Sequence, residues 1–312
     1  MNIFDDITQV TKEKNTVITI GTFDGFHVGH QQIVTQAVNS AAARGGRSYL
    51  ITFEPHPRSV VSRDFELKLL TTLDEKLELL KYSGIENVLV INFTPEFSKL
   101  TYEDFLVNYI VEKTGISELV IGHDHRLGKN RDGDENKLIG LGHTFAFDVT
   151  PVQAVKINED PVSSTKIRQA IAEGNIEKAN RYLGRKYSFR GKVIQGAMRG
   201  RTLGFPTANV APQNAQKLIP PRGVYIVEFI VNNSTHFGLM NIGMRPTFGD
   251  TVELVIEVYI FSFNKNIYNE EVTVRVLQKL RDEKKFSSRE ELVEQIETDK
   301  RIALDFIDNL NN

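Results

Sequence analysis

Short apolar segments alternate with amphipathic ones in the first half of the chain. The apolar segments have the length of buried strands and occupy residues 17–20, 48–53, 87–93, 118–122 and 145–149. Between them, apolar residues at helical spacing predict helices over residues 31–43, 74–82 and 102–113. Strands that alternate with helices predict a doubly wound, mainly parallel sheet, which binds its ligands at the carboxyl ends of the strands.

The hydrophobic period changes in the second half. After two predicted helices over residues 164–173 and 176–183, strand-like segments occupy residues 187–194, 223–231, 235–240, 252–261 and 271–280. Strands separated only by turns predict an antiparallel sheet or small barrel. A capping box from Ser288 to Glu291 indicates a final helix. Its apolar stripe consists of Leu292, Ile296, Ala303, Phe306, Ile307 and Leu310. We expect two domains, over residues 1–184 and 185–312.

Composition narrows the class of protein. The 312 residues are 40% hydrophobic and 25% charged, which is typical of globular domains. The net charge of -2 gives no basic surface for nucleic acid, so we expect none as a partner. The chain has no cysteine, which excludes disulfides and thiolate sites. It shows neither a signal peptide nor an apolar run of bilayer length, so we expect a cytoplasmic protein that does not bind membranes.

The first chemical motif lies where a predicted strand turns into a predicted helix. Residues 21–30 have the sequence GTFDGFHVGH, in which Gly21, Gly25 and Gly29 let the backbone approach a bulky ligand. His27 and His30 are three residues apart and share a face of the first helical turn. The amides of that turn attract phosphate, and imidazoles there can donate hydrogen bonds to a transferring phosphate. The alternative is a glycine-rich turn with two incidental histidines.

A second candidate for phosphate binding is VSSTKIR at residues 162–168. Ser163 or Ser164 can cap the helix that follows, and hydroxyls and amides there can hold phosphate. Arg168, one turn further, can bind the same anion with its planar fork of donors. The alternative is an ordinary capped helix.

These motifs together resemble the nucleotidylyltransferase superfamily, which attacks the α-phosphate of a nucleotide and releases pyrophosphate. GTFDGFHVGH contains its HxGH signature and is similar to the form found in bacterial bifunctional riboflavin kinase/FAD synthetases, whose (I/V)SSTxIR motif binds ATP phosphates. The resemblance implies that His27, His30 and Arg168 are catalytic. It also implies an ATP and phosphate site made of Gly21, Phe23, Asp24, Gly29, Ser163, Ser164 and Thr165.

Two further segments resemble loops near the flavin in that family. The sequence FEPHP at residues 53–57 implies flavin contacts from Pro55 and His56, although a plain proline-rich turn is the alternative. Residues 121–133 are similar to the GxDFxFG segment and imply a flavin contact from Asp124. His125 and Leu127 stand where phenylalanines are usual. A metal cluster of residues 123–125 is disfavoured because adjacent residues ligate one ion with difficulty.

The second half resembles the riboflavin kinase module of the same enzymes. Its glycine-rich signature is GRTLGFPTAN at residues 200–209, where Gly200, Gly204 and Thr207 are expected to bind phosphate. Thr207 and Asn209 carry the hard oxygen ligands that Mg²⁺ prefers. A plain β-turn is the alternative. Residues 241–248, with the sequence NIGMRPTF, resemble the second flavin-side loop of that family and imply flavin contacts from Arg245 and Phe248. Residues 281–286 resemble its LRxExKF segment and imply a flavin contact from Arg281.

Glu257 is the candidate base of the kinase. Residues 252–261 alternate, with aliphatic side chains on one face and Glu257 on the other between Val255 and Tyr259. A carboxylate there can accept the proton of the flavin 5′-hydroxyl, and the family places its base in a matching Glu-x-His segment. The alternative is a solvated glutamate on the outside of a sheet.

The resemblance covers nearly the whole chain and implies FAD biosynthesis in two steps. Riboflavin would be phosphorylated by ATP to FMN, with Mg²⁺, and FMN adenylylated to FAD with release of pyrophosphate. Four positions depart from the family pattern: Lys186, Tyr259, Ser262 and Asn269. They leave one alternative open, an adenylyltransferase with a degenerate kinase module. A second alternative is a flavin-sensing protein without turnover.

Overall fold

A computed structural model describes residues 1–62, 66–123, 126–196, 204–246 and 252–311. The chain forms two compact units, Met1–Ser164 and Thr165–Asn312. The boundary that we place near residue 184 stays a prediction.

The first unit is built on a sheet of six parallel strands, in the order β1-β4-β3-β2-β5-β6. The strands are β1 (Asn2–Phe4), β2 (Thr16–Ile20), β3 (Ser48–Glu54), β4 (Asn87–Asn92), β5 (Ile116–Gly122) and β6 (Asp148–Val152). Strand order reverses beside β2, because β3 and β4 follow on one side and β5 and β6 on the other. Ligands bind at such a switch point in open α/β sheets. The observed sheet confirms the predicted fold class of this half.

Helices cover the sheet and connect its strands. They are α1 (Val28–Ala43), α2 (Pro57–Val61), α3 (Leu73–Leu80), α4 (Tyr102–Asp104), α5 (Glu112–Thr114) and α6 (Glu135–Phe145). A π-helical segment, Phe105–Val111, joins α4 to α5. A short antiparallel pair, β7 (Lys156–Ile157) and β8 (Asp160–Pro161), follows the sheet. Apolar residues of β2, β3 and β4 are buried on both sheet faces, as expected for strands between helical layers.

The end of the first sheet differs from our prediction. We expected a strand over residues 145–149, but α6 continues to Phe145 and ends at Ala146, whose backbone is left-handed. The strand begins later, at Asp148. The glycines of α6 concealed this helix, since glycine weakens helical propensity. Close packing requires glycine at position 142, because an added Cβ would lie 2.5 Å from the carbonyl oxygen of Phe147.

The second unit is a closed antiparallel barrel in the order β10-β13-β12-β11-β14-β9. Its strands are β9 (Tyr187–Ile194), β10 (Thr207–Pro212), β11 (Gly223–Val231), β12 (Ser234–Pro246), β13 (Val252–Ile260) and β14 (Glu271–Arg281). Its helices are α8 (Ile176–Leu183), α9 (Arg289–Asn311) and all but the first residue of α7 (Ser164–Ala172). The barrel with its C-terminal helix confirms the second part of the predicted fold.

Two helices are fixed to the barrel by identifiable contacts. The Asn180 side chain of α8 accepts a hydrogen bond from the Tyr187 amide at 2.6 Å and donates to the Val276 carbonyl at 3.0 Å. On α9, Ala303 and Ile307 are buried against β11, β12 and β14. Leu310 is 51% exposed, so the predicted apolar stripe was wrong at this last position.

Candidate active sites

The loop between β2 and α1 has an uncommon backbone conformation. Phe23 and Phe26 have φ angles of 47° and 35°, and Gly25 between them has a φ of 84°. Non-glycine residues adopt such angles only where the surrounding structure holds them. Both phenylalanine rings are buried among apolar residues of α1, β3, α3 and β4. Burial of these rings therefore fixes the path of the loop.

Asp24 anchors this loop to the segment before α3. Its carboxylate accepts hydrogen bonds from the amides of Leu70 and Thr71 at 3.2 and 2.9 Å, and from the Thr71 hydroxyl at 3.2 Å. The Thr71 hydroxyl oxygen accepts in turn from the Gly25 amide at 2.9 Å. The structure thus gives Asp24 a part in shaping the loop, while its part in ATP binding stays a prediction.

The two histidines stack on each other at the start of α1. Their ring centroids are 3.6 Å apart with an angle of 17° between the planes. His27 is the N-cap, and its Nδ1 accepts a hydrogen bond from the His30 amide at 3.3 Å. A neutral imidazole that accepts at Nδ1 carries its proton on Nε2. His27 is therefore held in the tautomer that can donate from Nε2. Helix α1 begins at Val28, three residues earlier than predicted.

Two glycines of the motif lie against aromatic rings. A Cβ on Gly29 would approach the His27 ring to 3.2 Å, and one on Gly21 would approach the Phe23 ring to 3.3 Å. Both distances are shorter than ordinary van der Waals contact. The glycines therefore leave room for rings on which the shape of the site depends.

The second phosphate motif meets the first at one hydrogen bond. The Ser164 hydroxyl donates to the backbone carbonyl oxygen of Asp24 at 2.9 Å. This bond, within the first unit, joins Ser164 to the glycine-rich loop, and the sequence did not predict it. Ser163 is half-buried, and Thr165 and Arg168 follow on α7, exposed and half-buried respectively.

Lys76 is a residue that our sequence interpretation missed. It lies on α3 with 5% of its surface exposed, and its Nζ donates to the Thr22 carbonyl oxygen at 3.0 Å and to the Thr52 hydroxyl at 2.7 Å. Burial lowers the pKa of its ammonium to about 8, and the Asp24 and Glu54 carboxylates act against this shift. The sequence held no signal for this, because a lysine on an amphipathic helix is usually solvated.

Two of the predicted flavin residues of this half, Pro55 and His56, lie near the carboxyl edge of the sheet. Pro55 and His56 directly follow β3, which is the neighbour of β2. His56 caps α2 through Nδ1, which accepts from the Arg58 amide at 3.1 Å. Asp124 lies outside the described residues. Within the described ranges, no three His, Cys, Asp or Glu side chains form a cluster that could hold a metal ion.

Glu257 stands opposite an asparagine on each neighbouring strand of the barrel. Across β10 it pairs with Asn209, and across β12 it pairs with Asn241. Directly paired residues of antiparallel strands share a face, so the three side chains form one polar row. Thr207 lies two residues before Asn209 and pairs with Tyr259 on that face. The register therefore places the predicted base beside both predicted Mg²⁺ ligands.

The remaining predicted kinase residues differ in how the structure presents them. Gly204 has a φ of 89°, which favours glycine. Gly200, Phe248 and the side chain of Arg245 lie outside the described residues. The guanidinium of Arg281 donates to the buried Asp299 of α9, with Nη2 to Oδ2 at 2.7 Å and Nε to Oδ1 at 3.1 Å. This ion pair fixes β14 to α9, and a flavin contact from Arg281 stays a prediction.

Comparison with known proteins matches each half of the chain to a protein family. Residues 9–166 match the family model of FAD synthetase, and residues 183–307 match that of riboflavin kinase. The chain belongs to the bifunctional riboflavin kinase/FMN adenylyltransferase family. A relative of that name from Listeria monocytogenes is 40% identical over 299 residues, which cover 96% of this chain and 94% of the relative. Another, from Escherichia coli, is 34% identical over 295 residues, covering 94% and 93%.

A solved structure extends the agreement to the fold. It is described as a macrolide-efflux protein from Streptococcus pneumoniae, has a TM-score of 0.88 and 30% sequence identity, and covers 96% of this chain and 97% of its own. Among the residues described here, no helix is long and apolar enough to cross a membrane. The presence of both family modules confirms the predicted function in FAD biosynthesis and favours neither alternative.

The four departures from the family pattern fit the barrel. Lys186 forms an ion pair with the buried Glu228, which Arg275 also approaches at 3.4 Å. Asn269 has a φ of 68° where the family has glycine, and asparagine tolerates this conformation better than most residues. Ser262 has a φ of 53°, and together with Tyr259 it lines an open cavity of 410 Å³. The second unit therefore accommodates all four residues within its fold.

Proposed function

We propose that FMN adenylylation occurs at the loop of residues 21–30 and riboflavin phosphorylation at the polar row of Asn209, Glu257 and Asn241. The stacked histidine pair at the N-terminus of α1 is the observation that carries the first assignment. The cross-strand register of Glu257 carries the second. In this proposal the substrates are ATP, riboflavin and FMN, and the enzyme acts in the cytoplasm without nucleic acid or membrane partners.

In the adenylylation step a phosphate oxygen of FMN attacks the α-phosphorus of ATP, and the bond to pyrophosphate breaks. His27 and His30 donate hydrogen bonds to the oxygens on which negative charge develops. Ser163, Ser164, Thr165 and Arg168 hold the phosphates of ATP. Glycines of the loop let the backbone come close to the nucleotide. The reaction needs no protein nucleophile, because positioning and charge stabilisation suffice.

In the kinase step the flavin 5′-hydroxyl attacks the γ-phosphorus of ATP, and ADP leaves. Glu257 accepts the proton of that hydroxyl, as a catalytic aspartate does in protein kinases. Gly200 and Gly204 give their amides to the phosphates. On the flavin side we propose Arg245, Phe248 and Arg281 for this step, and Pro55, His56 and Asp124 for adenylylation.

The oxygens of Thr207 and Asn209 suit Mg²⁺. The two residues lie on one face of β10, two positions apart, beside the Glu257 carboxylate. Mg²⁺ usually takes only one or two protein ligands and completes its shell with water and phosphate oxygens, so a large acidic cluster is not required. When bound, Mg²⁺ neutralises charge on the phosphates of ATP.

A crossed pair of assays tests the two assignments. Riboflavin with ATP and Mg²⁺ measures FMN formation, and FMN with ATP and Mg²⁺ measures FAD formation. We expect His27→Ala to lose only the second activity and Glu257→Gln to lose only the first. A variant that lost both, or the wrong one, would contradict the proposed division of the sites.

A further inference from the structure

The Lys76 ammonium lies directly beneath the loop of the adenylylation site. It donates to the Thr22 carbonyl oxygen at 3.0 Å, and Thr22 precedes Phe23, the first residue of positive φ in the loop. The Thr52 hydroxyl accepts from Lys76 at 2.7 Å and donates to the same carbonyl at 3.2 Å. Helix α3, strand β3 and the loop are therefore joined at one buried point.

Two carboxylates attract this ammonium electrostatically. They are Asp24 in the loop and Glu54 at the end of β3, and electrostatic attraction to each favours the charged form of Lys76, raising its pKa. Burial raises the pKa of Glu54, and Lys76 opposes that shift. With a pKa of about 8, Lys76 carries its charge at neutral pH. The ammonium thus offsets carboxylate charge beneath a loop whose proposed ligands, ATP and FMN, are anions.

Folding alone does not require a charge at this position. The Thr22 carbonyl has a second donor in Thr52, and the loop is also joined to residues 70–71 through Asp24 and Gly25. A buried ammonium weakens stability unless its surroundings compensate for the lost hydration. A lysine at such a place is better explained by the charge that it supplies to the site.

We propose that Lys76 is a positioning residue for adenylylation. Its ammonium holds the Thr22 carbonyl and neutralises Asp24 and Glu54, so that the loop accepts the polyphosphate of ATP instead of repelling it. The inference rests on the proposed assignment of adenylylation to residues 21–30. Lys76 is not proposed to contact substrate or to transfer a proton.

The test compares three variants of the full chain in the FMN and ATP assay. Lys76→Met removes the charge at similar side-chain length, Lys81→Met removes an exposed lysine just after the same helix, and Thr52→Val removes the hydroxyl but keeps the charge. Because hydrogen bonds to charged groups are the stronger ones, we expect Lys76→Met to raise the KM for ATP by about tenfold to a hundredfold. For Lys81→Met and Thr52→Val, the KM for ATP should stay within about threefold of the wild-type value.

The outcomes separate this inference from the proposed function. An unchanged KM and kcat for Lys76→Met would overturn the positioning role, as would an equal loss in Thr52→Val. Full FAD formation by His27→Ala would instead overturn the assignment of the site. Circular dichroism of each variant reports on its folding, and its riboflavin kinase activity, which belongs to the other unit, should be that of wild type.

A measurement on the unmodified enzyme covers the case in which Lys76→Met does not fold. We expect the KM for ATP in adenylylation to rise as the pH passes about 8, where Lys76 loses its proton beside Asp24 and Glu54. The kinase reaction at the same pH values controls for the ionisation of ATP. A KM ratio of the two reactions that stays constant from below to above this pH would contradict the inference.

Discussion

At the scale of single residues, the adenylylation site depends on two stacked imidazoles. His27 caps α1 and His30 lies one turn later, so both rings project from the end of the helix that attracts anions. We expect His27→Ala and His30→Ala each to lower FAD formation by about a hundredfold or more, the usual effect of removing one oriented donor from a transition state. FMN formation should not change. Chromatographic assay of the flavins measures both rates.

An exposed histidine on α6 gives the control for these variants. His143→Ala removes an imidazole far along the chain from the motif and should retain both activities. If either His27→Ala or His30→Ala kept the wild-type rate of adenylylation, that histidine would be structural only.

The kinase base is a second prediction at this scale. Glu257→Gln keeps the size of the side chain and its place between Asn209 and Asn241 but cannot accept a proton. General base catalysis contributes about a hundredfold to ten-thousandfold, so FMN formation should fall within that range. Riboflavin binding and adenylylation of supplied FMN should remain. Glu271→Gln, at an exposed position of β14, is the matched control, and a loss below about tenfold would assign the base elsewhere.

Lys76 also predicts how stability depends on pH. Its pKa is about 8 in the folded chain against an ordinary value of 10.5, so between these values the unfolded state binds more protons. The free energy of unfolding therefore gains a term that rises with pH, of about 3 kcal/mol in total. Lys76→Met should lack that term. Urea unfolding of wild type and Lys76→Met at pH 7.5 and pH 10 measures this term. If the free energies of unfolding of the two proteins differed by the same amount at both pH values, the burial of a charged lysine would be contradicted.

At the scale of elements, sequence pattern predicted those that hydrophobic period defines. Strands β2, β3, β4 and β5 were found because each is an apolar run between helical layers. Helix α6 was missed because Gly140 and Gly142 weaken its pattern, and the second glycine is needed for close contact with Phe147. Tertiary packing outweighed local propensity there.

In the candidate sites, too, local spacing predicted some features, whereas others depend on tertiary packing. Spacing along the helix was enough to predict that His27 and His30 lie together. The polar row of Asn209, Glu257 and Asn241 depends on strand register, which the turns and the packing of the barrel set over long distances in sequence. The burial of Lys76 likewise depends on where α3 packs, which a single amphipathic segment does not specify.

One prediction concerns how β14 is joined to α9. The buried Asp299 accepts hydrogen bonds from Arg281 and from Gln295 of its own helix. Asp299→Ala leaves the Arg281 guanidinium without this partner, so we expect the free energy of unfolding to fall by about 2–4 kcal/mol. The urea concentration that abolishes riboflavin kinase activity should fall accordingly. Asp305→Ala, at an exposed position of α9, should leave this urea concentration unchanged. If wild type and both variants lost activity at the same urea concentration, the ion pair would not be stabilising.

At the scale of the whole molecule, the two activities should be separable. A fragment of residues 1–184 retains both phosphate motifs, and we expect it to convert FMN to FAD. A fragment of residues 185–312 should phosphorylate riboflavin. It lacks α8 and the hydrogen bonds of Asn180 to the barrel, so it should melt at a lower temperature than a fragment of residues 165–312. Circular dichroism gives the melting temperatures, and folded fragments without activity would show that the sites are not independent.

The most direct test of the account follows the flavins made by the full chain. Wild-type protein is incubated with riboflavin, excess ATP and Mg²⁺, and samples taken over time are separated by chromatography. Two sites acting in sequence predict that FMN appears first and that FAD accumulates as FMN is consumed, with pyrophosphate released in step with FAD. Formation of FMN alone, or of neither product, would contradict the assignment of two working active sites to this chain.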